Sequence, residues 1–170
     1  DGHRLSRIIK ENKNNENQEK EIIIPTKFLT LLIGFVEKNE TLEIEISKNH
    51  ISLSCKNTTI YSRIIKDTYP NYEKVIPLEN EKTLIIEKQE LVSAIKRVSI
   101  FSNRSTKQIT FTILEKKLTI STEDAEQSAQ GKEDLSCSFN HTEELKIGFN
   151  SNFLLDALGH IKGEQVGMFL

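Results

Sequence analysis

The sequence predicts an α+β fold built from repeated strand-helix-three-strand units, with helices packed on antiparallel sheets. Two observations carry the prediction. Three segments of the chain read alike at near-constant spacing, and each joins a short apolar run to an apolar stripe of helical period. Composition agrees: 170 residues at 36% hydrophobic support one large domain or two modest ones, each with a real core.

The three segments open at Glu21, Thr83 and Glu144, with Ile24, Ile86 and Phe149 as equivalent positions separated by 62 and 63 residues. On that alignment Leu29, Leu91 and Leu154 coincide, as do Leu32, Ala94 and Ala157, then Ile33, Ile95 and Leu158, then Val36, Val98 and Ile161. After a polar break these apolar positions fall at i, i+3, i+4 and i+7, which puts them on one helix face. Each unit therefore opens strand, then helix, and each helix should bury one stripe on a sheet. Pro25 suits a strand end or the first helical turn, and Asn150 or Ser151 can cap the third helix through a side-chain oxygen.

Alternating strands follow each helix. In the first unit they are Leu42–Ile46, His50–Cys55 and Thr59–Ile65; in the second, Ile109–Ile113, Lys117–Ser121 and a longer run through Leu135, Cys137 and Phe139. The third unit reaches Val166–Leu170. A unit of this size cannot cover both faces of its own sheet, so pairs or rings of units are the natural solution. A tandemly duplicated α+β domain with no further specialisation has the same periodicity, so particular residues must decide between them.

Charge and cysteine usage narrow the function. Charged residues make up 28%, the formal net charge is −2 and the pI is near 6.1, so nucleic acid cannot be held by bulk positive charge and any contact needs a local basic face. Cys55 and Cys137 are far apart in sequence, without CxxC or histidines at ligand spacing; two reduced, buried thiols are expected, and no metal site. No apolar run approaches a membrane span and no signal peptide opens the chain, which reads as cytoplasmic with no membrane partner. Residues 11–20, with no apolar side chain, are expected to form a mobile solvated loop. The chain starts without Met and stops inside an apolar run, so a fragment of a longer protein is expected.

Four stretches carry a resemblance: DGHRL at Asp1–Leu5, TYPNYEKVIP at Thr68–Pro77, VSIFSN at Val98–Asn103 and KIGFNSNFLLDAL at Lys146–Leu158. In this order and spacing they resemble the bacterial DNA polymerase III beta subunit family, the beta sliding clamps. The resemblance implies a DNA-clamp fold, with residues 1–80 as the later part of the middle domain and 81–170 as the C-terminal domain without its last strands. It implies a processivity factor: a homodimeric ring around duplex DNA, sequence-independent, that tethers the polymerase III alpha subunit and clamp-loader subunits through linear peptides. Pro77–Lys82 reads as the linker on composition as well. An alternative is a repeat-built protein-binding module unrelated to replication.

Three sites follow from the resemblance. His3, Arg4, Leu5, Pro70, Lys74 and Val75 match the partner-peptide pocket between middle and third domains, where Leu5, Pro70 and Val75 would give an apolar floor and the other three rim donors. Lys74 stands where the family often has Arg, and an ammonium cannot form a bidentate fork. Lys27, Lys96, Arg97, Arg104 and Lys107 are candidates for a DNA-facing wall, with Thr26 standing where Arg is common. A sliding ring needs only such weak phosphate attraction. Ile100 and Phe101 match the dimer interface; as an apolar pair at a helix end they could equally be local core.

Catalytic signatures are missing: no P-loop, GxGxxG, GxSxG or HExxH occurs, and no catalytic residue or cofactor is expected. Asp156 and His160, four residues apart on the third helix, read as a surface ion pair rather than an acid-base couple. Glu123, Asp124 and Glu126 fit no EF-hand spacing and read as an exposed acidic turn.

Overall fold

The computed structural model describes residues 3–10, 21–36 and 41–170; the expected loop at 11–20 lies outside the described residues. The chain divides into two units, one of Leu5–Val75 and one of Ile76–Leu170 joined by the first residues of the chain through Arg4.

In the Leu5–Val75 unit, helix α1 (Thr26–Ile33) accompanies an antiparallel sheet of β1 (Glu43–Ile46), β2 (His50–Cys55) and β3 (Thr58–Arg63), in that order. Pro25 is extended (φ −60°, ψ 133°), and its carbonyl accepts from the amides of Phe28 (3.0 Å) and Leu29 (3.3 Å), so it ends the incoming segment and caps the helix. The strand expected at Ile22–Ile24 reduces to a single bridge between Ile23 and Ile65. Phe28, Ile51 and Leu53 form the core, flanked by Ile22, Ile24, Leu32 and Ile60. The expected α1 stripe is displaced: Phe28 is buried, whereas Leu29 and Ile33 are 44% and 81% exposed. With one three-stranded sheet to pack on, α1 buries only the edge that faces it.

The Ile76–Leu170 unit runs β4 (Thr83–Glu87), α2 (Lys88–Ser99), β5 (Gln108–Leu114), β6 (Lys117–Asp124), β7 (Ala129–Ser136), β8 (Ser138–Phe139), β9 (Leu145–Asn150), α3 (Ser151–His160) and β10 (Gln165–Phe169). Its two antiparallel sheets have the orders β7-β6-β5-β9 and β10-β4-β8. The alternation in β5 and β6 turns Ile109, Phe111, Ile113, Leu118 and Ile120 inward, all fully buried. Against them α2 lays Leu91, Ala94, Ile95 and Val98, and Leu158 of α3 joins the same core. Here the helix stripe is buried as expected, because α2 packs against strands of both sheets and against α3.

Two more expectations need correction. Cys55 is buried, but Cys137 is only partly so; its Sγ points to the Leu114 carbonyl at 3.8 Å and burial pushes its pKa up. Asp124 is not part of an exposed turn: it ends β6 at 4% exposure, where its Oδ1 accepts from the Glu126 amide. No cluster of three metal-ligating side chains occurs among the described residues, nor any helix long and apolar enough to cross a membrane.

Candidate functional site

The six peptide-pocket candidates divide between the units. In the Ile76–Leu170 unit, His3 and Arg4 meet at the first turn of α3. That turn is fixed by Asn150, whose Oδ1 accepts from the amides of Asn152 (3.0 Å) and Phe153 (3.2 Å) while its Nδ2 donates to the Thr106 carbonyl (2.9 Å). The cap therefore sets the position of Phe153. The His3 ring stacks on Phe153, with centroids 5.8 Å apart and planes 28° apart, and the Arg4 guanidinium carbon lies 4.5 Å from the same ring centre. Arg4 Nη1 also donates to Asp156 Oδ2 at 2.5 Å. The expected pair of Asp156 with His160 is present at 3.8 Å but is the longer of the two contacts.

In the Leu5–Val75 unit, Lys74 and Val75 lie on a short 3-10 helix, Tyr72–Val75, and Pro70 precedes it; Pro70 and Lys74 are exposed, and Leu5 and Val75 are 47% and 71% exposed. An aromatic pair supports this helix, with Tyr69 edge-on to Tyr72 at 6.2 Å. Arg7 lies over Tyr72 at 5.9 Å and reaches Glu73 at 3.9 Å, which ties the segment carrying Leu5 to the 3-10 helix. Leu5 and Val75 are thus apolar surface held on ordered backbone. Sequence reasoning missed Arg7, Tyr69, Tyr72, Phe153 and Asp156 as supports of these residues; the aromatic content of TYPNY and NFLLD was the available signal.

Of the cation candidates, Lys27 is exposed on α1 and Lys96 on the last turn of α2. Arg104 is exposed in the turn after α2. Lys107 is half-buried with φ 50°, its amide donating to the Asn103 carbonyl and its carbonyl accepting from the Ser151 amide at 2.8 Å. Arg97 is engaged: Nε and Nη2 donate to the two carboxylate oxygens of Glu133 at 3.0 and 2.5 Å. That fork lowers the Glu133 pKa and raises that of Arg97. Arg97, with a side chain 59% exposed, thus meets solvent as half of an ion pair rather than as a lone cation.

Ile100 and Phe101 are both surface residues, 76% and 44% exposed, rather than local core. Phe101 lies against Gly131 of β7, where an added Cβ would stand 2.9 Å from Phe101 Cδ2. β7 is an edge of its sheet, so Phe101 packs on a strand whose outer side meets no further strand among the described residues. Beside it an open groove of about 540 Å³ is lined by Glu90, Ser93, Arg97, Asp134 and Leu135. Asp134 is bound by Lys117 (2.8 Å) and Thr119 (2.6 Å), which lower its pKa, Lys117 first.

Residues 1–71 match the family model of the DNA polymerase III beta subunit central domain and 73–170 that of its C-terminal domain. The beta sliding clamps of Haemophilus influenzae and Chlamydia pneumoniae are 31% and 30% identical over 171 and 169 residues, covering 100% and 99% of this chain but 46% and 45% of theirs. The chain thus spans about half the length of the relatives it matches. A crystal structure of the Bartonella birtlesii DNA polymerase III subunit beta sliding clamp superposes with a TM-score of 0.92 at 31% identity, over 100% of this chain and 49% of that one. The Pseudomonas aeruginosa clamp bound to griselimycin gives 0.81 at 30% identity, over 88% and 40%.

Proposed function

Because the chain belongs to the DNA polymerase III beta subunit family, we propose that it is part of a sliding clamp, a ring that encircles duplex DNA and tethers polymerase. The observation that carries this is the ordered match of central and C-terminal clamp domains to 1–71 and 73–170. It sets aside the unrelated repeat-built binding module. The work is topological: a closed ring cannot leave DNA sideways, and no bond is made or broken. Phosphate contacts need only be weak and non-specific. Lys27, Lys96, Arg104 and Lys107 supply them, with Arg97 contributing less because Glu133 holds it. We place the boundary between the middle and C-terminal domains in the linker Pro77–Lys82, with 1–80 and 81–170 on either side, and the protein in the cytoplasm.

His3, Arg4, Leu5, Pro70, Lys74 and Val75 bind linear peptides of the polymerase alpha subunit and the clamp loader. Exposed Leu5 and Val75 and the Arg4 cation over the Phe153 ring support that assignment. Ile100 and Phe101, the latter packed on Gly131 of β7, form the homodimer contact; an exposed apolar pair is a surface that association relieves. The test is fluorescence anisotropy with a labelled peptide bearing Gln and Leu-Phe anchors. Saturable binding should weaken more than tenfold in a Leu5→Ala, Val75→Ala double variant, two truncated anchors costing about 1 kcal/mol or more each. Unchanged affinity in the variant would remove these residues from the site.

A further inference from the structure

Asp156 has no part in the six-residue site, yet its geometry is tied to it. It stands three residues after Phe153 on α3, so both side chains rise from one helix face. Arg4 meets both: its guanidinium lies 4.5 Å from the Phe153 ring centre while Nη1 donates to Asp156 Oδ2 at 2.5 Å. A ring face beneath a guanidinium and a charge-assisted hydrogen bond to it each restrict where the cation can sit. Together they restrict a long side chain that is 41% exposed, at a cost in rotamer entropy met during folding.

We propose that Asp156 is a positioning residue for partner-peptide binding: it holds Arg4 against Phe153, so that the cation is in place before a peptide's carbonyl and carboxylate acceptors arrive. The inference rests on the peptide-binding reading above. Ordering Arg4 during folding means the peptide does not have to order it, and the saving appears as affinity. His160 Nε2 lies 3.8 Å from the other oxygen of the same carboxylate, Oδ1, one helical turn further on. The opposite role, an internal anion that occupies Arg4 and must be displaced, predicts the opposite sign.

Anisotropy titration of the labelled Gln and Leu-Phe peptide against wild type, Asp156→Asn, Arg4→Ala and the double variant separates these outcomes. Asp156→Asn should weaken binding about two- to fivefold, the range of an exposed ion pair. The double variant should bind no more weakly than Arg4→Ala alone, since Asp156 acts only through Arg4. In the absence of peptide, the Arg4 side-chain N–H resonance should shift in Asp156→Asn, a change that general loosening of α3 would not confine to Arg4. If Arg4→Ala weakens binding while Asp156→Asn binds as wild type or more tightly, the positioning role is overturned and the peptide site stands. A double variant weaker than Arg4→Ala by the full Asp156→Asn factor overturns it too, and absence of saturable binding to wild type removes both readings.

Discussion

Ile33 and Ile95 occupy equivalent positions in the repeat, yet Ile33 is 81% exposed and Ile95 fully buried, so truncating each to alanine should give very different results. Ile95→Ala removes three carbons from a site enclosed by β-strands and α3. At about 0.8 kcal/mol per methylene that is roughly 2.4 kcal/mol of lost transfer energy, and the cavity left behind raises the loss to about 3–4 kcal/mol. Ile33→Ala removes the same atoms from water-exposed surface, and alanine's better helix propensity offsets what little is lost, leaving a change within about 0.5 kcal/mol. Urea unfolding of this chain measures both. Tyr61, Tyr69 and Tyr72 are its only tyrosines and all lie in the Leu5–Val75 unit, so their fluorescence reports that unit, while far-UV circular dichroism is dominated by the larger one. The Ile95→Ala midpoint in the dichroism signal should fall by at least about 1 M, and the Ile33→Ala midpoint in tyrosine fluorescence should stay put. Equal losses for the two substitutions would refute the argument that the number of packed layers, not repeat position, decides burial.

Two further predictions follow from the polar contacts. The Arg97 fork lowers the Glu133 pKa, so the pair's stability contribution is fully present above the unfolded carboxylate value of about 4.3 and is lost as pH falls through the lower folded value; melting curves of wild type and Glu133→Gln should therefore draw together as pH falls below the unfolded value, and a gap constant with pH would count against the pair. At the start of α3, Asn150→Ala should cost about 1–2 kcal/mol because it loses the cap and the bond to Thr106. Ser151→Ala should be neutral or stabilising by up to about 1 kcal/mol, because the buried Ser151 Oγ meets no partner among the described residues; chemical denaturation of the two variants checks the contrast, and a costly Ser151→Ala would contradict it.

Local sequence determined the elements that repeat. The period-two runs became β2, β3, β5 and β6, the 3.6-period stripes became α1, α2 and α3, and Asn150 caps α3 as its position suggested, because side-chain alternation, helical spacing and a capping oxygen act within a few residues. The motif DGHRL marked His3 and Arg4, but the residues that hold them, Phe153 and Asp156, lie some 150 positions away and carry no local signature of that role. The same limit hid the fork between Arg97 and Glu133, since a cation on a free helix face reads the same whether a strand 36 residues later brings up a carboxylate or not. It also hid the burial of Asp124 and the exposure of Ile33. Periodicity states which face of an element is apolar; only tertiary packing decides how many layers cover that face, and whether a charge on the other face meets water or a partner.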